Sequence, residues 1–167
     1  AQGIGTPRVD HRLRHSDLGN RVVLADGRDG ARWLGMPIAQ ISELQRAFVI
    51  GSFLRKDHPL FAQRLRQATR RGARIASLHA AHDDWLMPMA ESWSLAPEHW
   101  VDALAQVAVA VAARTGAAVP ADLPVPDRAE PSPAAEAIAS LLLGGERRAV
   151  LLGSSAAQHP EATTVYA

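Results

Sequence analysis

The fold of this chain is decided by the stretch AFVIGSFLRKDHPLFAQRLRQATRRGARIASLHA, residues 47 to 80. An apolar run ends at Gly51-Ser52, a loop leads to Pro59 and a basic segment, and a second apolar run follows Gly72. Continuous apolar runs are typical of strands buried on both faces of a parallel sheet, so the stretch predicts strand, turn, helix and strand. This is the layout of a dinucleotide-binding unit, and it raises the question of whether a nucleotide is bound.

The basic segment predicts an amphipathic helix from about Pro59 to Arg71. Phe61, Leu65 and Ala68 are spaced four and three residues apart, which places them on one face of that helix. Arginines stand at four of the other positions, Arg64, Arg66, Arg70 and Arg71. The helix is therefore expected to pack its apolar face against the sheet and to expose its basic face.

Hydrophobic periodicity and the placement of Pro, Gly and Ser predict the remaining elements. These are a short strand at 21–24, a short helix at 36–44 with Pro37 in its first turn, a short strand at 93–97, a helix from Pro97 or Glu98 closed by Gly116, a helix from Ser132 to about Leu143, and a strand at 148–152. We therefore predict a loop-rich N-terminal segment at 1–35 and an α/β domain at 36–167. The domain is expected to be a Rossmann-like, doubly wound, mostly parallel sheet with helices on both faces and a Pro-rich connection at 117–131.

A loose internal repeat supports this topology. The segment VIGSFLRKDHP at 49–59 recurs loosely as LLGSSAAQHP at 151–160. In both segments an apolar strand ends in Gly-Ser, and a His-Pro pair opens the next helix. We interpret the two segments as turns at the same carboxyl edge of one doubly wound sheet.

Composition limits the possible functions. At 167 residues the chain is one domain or part of a larger one, and its formal net charge of +1 argues against nucleic acid as the main partner. It contains no cysteine, and therefore no disulfide, iron–sulfur ligand or thiol nucleophile. The longest apolar stretch, Val101 to Ala113, includes Asp102 and Gln106 and predicts a core helix, not a membrane span. The chain lacks an initiator methionine and ends where a helix begins, so we expect an excised fragment of a larger subunit.

The Gly51-Ser52 turn lies where open α/β sheets bind ligands, outside the carboxyl end of a strand. Gly51 would allow a close backbone approach, and Ser52 with the following amides could receive a phosphate. Neither G-x-G-x-x-G nor the P-loop pattern is present, so an ordinary strand-to-helix turn is the more frequent outcome of such a sequence. Ser52 and Ser154 also lack the G-x-S-x-G frame of a catalytic serine.

Two further groups of residues are candidates for sites. The basic residues are Arg55, Lys56, Arg64, Arg66, Arg70 and Arg71, and they could hold a phosphate or an acidic surface, although a solvated helix face is the commoner interpretation. The histidine pairs are His11 with His15, and His79 with His82, the latter followed by Asp83-Asp84. Neither pair has a third ligand at a diagnostic spacing, so no metal site is predicted.

Four segments resemble the large iron–sulfur subunit of bacterial NADH-quinone oxidoreductase, which is respiratory complex I. They are GTPRVDHRLRHSD (5 to 17), WLGMPIAQISEL (33 to 44), FVIGSFLRKDHPLFAQRLRQATRRGARIASLHA (48 to 80) and DDWLMPMA (83 to 90). The resemblance covers essentially the whole chain and is most specific in WLGMP and GSFLRKDHPL. The part matched is the molybdopterin-oxidoreductase-like domain downstream of the iron–sulfur region.

Working members of the molybdopterin oxidoreductase superfamily look like strand, Gly-Ser-Asn, His-Pro, a basic helix, and a strand that ends in Asp-Pro-Arg. Here Gly51, Ser52 and His58-Pro59 match, but Phe53 stands in the place of the Asn. Leu78-His79-Ala80 replaces Asp-Pro-Arg, and the N-terminal segment VDHRLRHSD lacks the cysteine of its superfamily counterpart. These departures imply a frame that has lost its cofactor.

The resemblance implies a structural part of that iron–sulfur subunit, one that supports electron transfer from NADH to quinone, coupled to proton translocation. It implies no catalytic residue, metal or cofactor in these residues, with Gly51, Ser52, His58 and His79 as vestigial cofactor positions, and iron–sulfur clusters in the rest of the subunit. The expected partners are other subunits of the peripheral arm and the iron–sulfur region of the same chain, with no nucleic acid and no membrane insertion. The expected location is the cytoplasmic side of the bacterial inner membrane.

The residues expected to shape turns or contact neighbouring surfaces are Arg55, Lys56, His58, Arg64 and Arg66. Two other functions stay open at the level of sequence. One is a fragment of a molybdenum or tungsten oxidoreductase that binds a pterin guanine dinucleotide around Gly51, Ser52 and His79. The other is a stand-alone nucleotide-binding module.

Overall fold

The computed structural model describes residues 34–119 and 130–166, together with two short strands nearer the N-terminus. Those strands, β1 (Val22–Val23) and β2 (Asp29–Gly30), pair antiparallel as a sheet of their own. β1 lies inside the strand predicted at 21–24. The rest of the segment predicted as loop-rich, and most of the Pro-rich connection, lie outside the described residues.

The main body alternates strands and helices along the chain. Its strands are β3 (Arg46–Ile50), β4 (Arg74–His79), β5 (Glu91–Ser94) and β6 (Arg148–Leu152). Its α-helices are α1 (Leu54–Asp57), α2 (Pro59–Thr69), α3 (Trp100–Thr115), α4 (Pro133–Leu143), α5 (Ser154–Ala157) and α6 (Ala162–Tyr166). Two 3₁₀ helices, Ile38–Glu43 and Pro97–His99, precede β3 and α3.

The four strands form one all-parallel sheet in the order β5-β4-β3-β6. At its centre Ile50 lies opposite Leu78 of β4 and Leu152 of β6. The chain steps twice in one direction, from β3 to β4 to β5, and then crosses back through α3 and α4 to the other side of β3. This reversal defines a doubly wound sheet, and it confirms the predicted Rossmann-like α/β fold.

Helices cover both faces of the sheet because alternate residues of each strand point to opposite sides. On one face Phe48 and Ile50 pack with buried residues of α3 and α4. On the other face Ala47 and Val49 pack with Leu65 of α2 and with the first 3₁₀ helix. The all-apolar run at the start of the stretch 47 to 80 is therefore buried on both sides, as predicted.

The helix ends follow the predicted chemistry. The hydroxyl of Ser132 accepts the backbone N–H of Ala135 at 3.3 Å and caps α4. Gly116 ends α3 in the left-handed conformation, with φ of 72°.

In α3 itself Val101 and Val107 are buried while Asp102 is exposed, so the predicted core helix is confirmed. Within the described residues, no helix is both long and apolar enough to cross a bilayer.

Three local features differ from the sequence prediction. The segment predicted as a helix at 36–44 is a 3₁₀ helix that begins after Pro37. The strand predicted at 93–97 runs instead over Glu91–Ser94. Its last hydrogen bond to β4 is made by the N–H of Leu95, which donates to the carbonyl of His79. Pro97 then starts the 3₁₀ turn before α3. The four-residue helices α1 and α5 were not predicted, because one helical turn carries no hydrophobic period.

Truncation of a central core residue tests this packing. Phe48→Ala is expected to lower the free energy of unfolding by about 3–5 kcal/mol, because it leaves a cavity between the sheet and α3. Leu60→Ala, at a position 75% exposed on α2, is the control and is expected to change it by less than about 0.5 kcal/mol. Urea denaturation measures both values, and equal losses would contradict the burial of Phe48.

Candidate functional site at the carboxyl edge of the sheet

The place to look for a ligand is set by the strand order. In open α/β sheets, ligands bind outside the carboxyl ends of the strands, where the direction of winding reverses. Here that point lies between β3 and β6, which are neighbours in the sheet but run to opposite sides along the chain. Two Gly-Ser turns meet there, Gly51-Ser52 after β3 and Gly153-Ser154 after β6. We call them the paired turns. The structure places them side by side, as the internal repeat predicted.

The first of the paired turns requires a glycine. Gly51 has φ of +64°, a conformation that side chains with a Cβ rarely adopt, and its N–H donates to the carbonyl of Leu78 at 2.9 Å. A Cβ at this position would lie 2.5 Å from the backbone nitrogen of Ala156 and 2.9 Å from the ring of Trp100. Gly51 therefore approaches protein atoms, whereas a ligand-binding glycine would leave that space for a ligand.

The second of the paired turns, which follows β6, packs directly against the first. The N–H of Gly153 donates to the carbonyl of Ile50 at 2.8 Å, and the N–H of Ser155 donates to the carbonyl of Gly51 at 2.9 Å. A Cβ on Gly153 would lie 2.6 Å from the Gly51 oxygen and would collide with Ser52. The paired turns are thus in direct backbone contact at the carboxyl ends of β3 and β6.

An internal carboxylate satisfies the donors that a phosphate would need. The hydroxyl of Ser52 donates to Oδ2 of Asp57 at 2.8 Å, and the N–H of Phe53 donates to the same oxygen at 3.0 Å. Ser52 is 1% exposed, whereas Asp57 is exposed, so the bond joins a buried hydroxyl to a carboxylate at the surface. Sequence reasoning missed Asp57. The signal that could have found it was an acidic residue one helical turn after the Gly-Ser-Phe turn.

The position that interrupts the superfamily pattern has a packing role. The ring of Phe53 lies edge-on to Trp85, with centroids 6.1 Å apart. Trp85 is buried on the α2 face of the sheet. The guanidinium of Arg55 lies over the Phe53 ring at 5.2 Å and pairs with Asp84 at 3.3 Å. Where the superfamily has a polar Asn, this chain therefore has an aromatic anchor.

His79, at the end of β4, is also engaged within the protein. Its Nδ1 lies 2.8 Å from Oδ2 of Asp83, and both side chains are mostly buried. The approach lacks the alignment of a hydrogen bond, so the two atoms are in close contact without one. Asp83 thus brings to this strand end the carboxylate that the sequence pattern lacks there, but directs it at His79.

The stacked rings of Trp100 and His159 lie next to the paired turns. Trp100 is fully buried and stacks on His159, with centroids 5.9 Å apart and planes 17° apart. Nδ1 of His159 accepts the N–H of Glu161, so its Nε2 carries the hydrogen and donates to the carbonyl of Pro97 at 2.9 Å. The indole N–H of Trp100 donates to the carbonyl of Leu95. His159, in the His-Pro pair of the second repeat segment, therefore has a structural role.

The remaining predicted site residues are dispersed. Arg64 donates to the hydroxyl of Ser42 at 3.2 Å, and the His58 ring stacks on Phe61 at 5.5 Å. Lys56 and Arg66 are exposed. Over residues 34–119 and 130–166, no three His, Asp or Glu side chains converge as metal ligands. His11 and His15 lie outside the described residues.

Comparisons with known proteins add no identification. No model of a known protein family matches the chain, and no curated protein matches it. The class that the fold defines is a Rossmann-like α/β domain, with the paired turns in contact at the carboxyl ends of β3 and β6. The resemblance to complex I stays a proposal.

Two glycines with nearly the same backbone angle test the closure. Gly51→Ala and Gly116→Ala both force alanine into φ near +64° or +72°, but a Cβ on Gly116 meets no atom within 4 Å. Gly116→Ala is expected to cost about 1–2 kcal/mol of unfolding free energy from backbone strain alone. Gly51→Ala is expected to cost a further 1–3 kcal/mol or so from overpacking. Thermal and urea unfolding give both values, and equal costs would mean that the crevice has room.

Removing the internal carboxylate tests the role of Asp57. Asp57→Ala is expected to lower the free energy of unfolding by about 1–3 kcal/mol, because the buried Ser52 hydroxyl loses its acceptor. Glu161→Ala removes an exposed carboxylate elsewhere and is expected to change it by less than about 0.5 kcal/mol. If the two variants unfold at the same urea concentration, Asp57 does not anchor the turn.

Proposed function

We propose that this chain is a cofactor-free structural domain of the large iron–sulfur subunit of bacterial NADH-quinone oxidoreductase. In this role it provides a rigid α/β body against which the iron–sulfur region and the neighbouring subunits pack. The electron-carrying clusters are bound by cysteines outside these residues, since this chain has none. The domain would sit in the peripheral arm, on the cytoplasmic side of the inner membrane.

The observation that carries the proposal is the backbone contact between the paired turns. A nucleotide or a pterin dinucleotide would need the crevice at the reversal of winding, and there the N–H groups of Gly153 and Ser155 bond to carbonyls of β3 and its turn. The donors of Ser52 and Phe53 that would face a phosphate are bonded to Asp57. The fold of a cofactor site is retained, and its binding groups are used for internal bonds.

The sequence resemblance supplies the particular assembly. The described part of the first motif, residues 34–37, directly precedes the 3₁₀ helix before β3. The motif GSFLRKDHPL, residues 51–60, covers the turn after β3, α1 and the start of α2. In this scheme Arg55, His58 and Arg64 shape the turn and brace α2, because each contacts another side chain of the domain. Lys56 and Arg66 are exposed and are assigned to contacts with neighbouring surfaces.

Ligand titration tests the cofactor-free part of the proposal. With GTP or NADH, isothermal titration of this chain is expected to show no saturable binding tighter than about 1 mM, which corresponds to roughly 4 kcal/mol. The paired turns would have to separate before either molecule could enter. Micromolar binding of either compound would contradict the proposal and favour a nucleotide-binding module.

Purification from the native cell tests the proposed membership of the complex. Affinity purification of the full-length protein is expected to recover iron–sulfur proteins with NADH-oxidising activity, and metal analysis is expected to find iron. Stoichiometric molybdenum or tungsten in the purified protein would instead support an oxidoreductase that binds a pterin guanine dinucleotide. Recovery of the protein without any iron–sulfur partner would also contradict the proposal.

A further inference from the structure

A polar cleft lies at the opposite, amino edge of the sheet, where β3, β4 and β6 begin. Its volume is about 390 Å³, and three turns line it: residues 42–46 before β3, residues 71–73 before β4, and Gly144 with Arg147 before β6. This size is within the range of pockets that hold small ligands or the side chains of a partner. The lining is rich in arginine.

The arginines at this edge are aligned by the strand register. Arg46 lies opposite Arg74 on one neighbouring strand and opposite Arg148 on the other. Neighbouring strands are about 4.8 Å apart, so three like charges stand in a row, which is unfavourable without anions nearby. Two of the three have compensation: Arg46 donates to the carbonyl of Gly144, and Arg148 donates to that of Leu142. Cations are favoured at such a helix C-terminus, here that of α4.

The other arginines at the cleft have little compensation. Within the part of the chain that the structure describes, no carboxylate lies within ion-pair distance of Arg71 or Arg74. Arg147 meets Glu43 at 3.6 Å, but both side chains are more than half exposed, so the pair contributes little. Arg71 and Arg147, which line the cleft, therefore present donors to solvent around one concave surface, and Arg74 is exposed at the start of β4, next in the chain to the lining residue Ala73.

The cleft is held in shape by a single glutamine. The side-chain oxygen of Gln45 accepts the N–H groups of Glu146 and Arg147, at 2.9 and 3.3 Å. Its backbone N–H donates to the carbonyl of Arg147 at 2.7 Å, and its carbonyl accepts the N–H of Arg74 at 3.0 Å. Gln45 thus joins the three turns that carry the arginines. A preformed surface of this kind loses less conformational entropy when it binds.

We propose that this cleft docks an acidic segment of a partner polypeptide, whose carboxylates accept from Arg71 and Arg147. The planar guanidinium matches a carboxylate with two parallel hydrogen bonds. The net charge of only +1 favours a local acidic peptide over the broad basic surface that nucleic acid requires.

Two adjacent arginines provide the matched test. Arg71 lines the cleft, whereas Arg70 is exposed beside it and does not. Fluorescence anisotropy with a labelled hexaglutamate peptide at low ionic strength is expected to show saturable binding to the unmodified chain. Arg71→Gln is expected to weaken this binding about tenfold, as the loss of a charged hydrogen bond implies, and Arg70→Gln by less than about twofold. Equal unfolding temperatures of the two variants would exclude a folding defect.

Other outcomes would overturn the proposal. Failure of the peptide to bind would remove the docking site, and equal weakening by both substitutions would indicate non-specific attraction to net charge. Tripolyphosphate and a single-stranded oligonucleotide of matched charge serve as competitors. If either one binds more tightly than the peptide and loses affinity in Arg71→Gln, the cleft is a phosphate site and not a peptide site. None of these results bears on the paired turns at the opposite edge.

Discussion

The structure depends on one contact, the approach of the backbone at Gly51 to the backbone at Gly153. It can occur only because both residues lack a Cβ: a side chain at either position would collide with the other turn or with the helix that follows it. The contact joins the first and last strands of the main sheet at the edge where the winding reverses. It lies at the position where doubly wound sheets have their usual ligand site, and we propose that it closes that site.

Other groups at the same edge are arranged around that closure. Asp57 bonds the donors of the first turn, Trp100 and His159 stack beneath it, and Asp83 pairs with His79 at the end of β4. Each of these groups is of a type that binds ligands in other proteins, and each contacts another group of the chain, although the Nδ1 of His79 and Oδ2 of Asp83 form no aligned hydrogen bond. The carboxyl edge therefore carries several contacts within the chain, and the amino edge carries exposed arginines.

Sequence patterns predicted the fold because its main determinants are local. The buried strands are continuous apolar runs, Ser132 and Gly116 mark helix ends, and the repeated Gly-Ser turns indicated two neighbouring loops. The sequence did not reveal Asp57, because its role depends on a single hydrogen-bonded turn, or the His79–Asp83 contact, because its geometry depends on tertiary packing. It also gave no sign of the cleft at the amino edge, since that cleft arises from the register of three strands that lie far apart in the chain.

The central claim is that the crevice is closed by the chain itself, and amide hydrogen exchange tests it most directly. The N–H groups of Gly153 and Ser155 are the reporters, because they bond to the carbonyls of Ile50 and Gly51 across the closure. If the crevice is closed, both amides exchange as slowly as those in the centre of the sheet, and added GTP or NADH leaves their rates unchanged. Fast exchange of both amides that becomes slow when a nucleotide is added would contradict it.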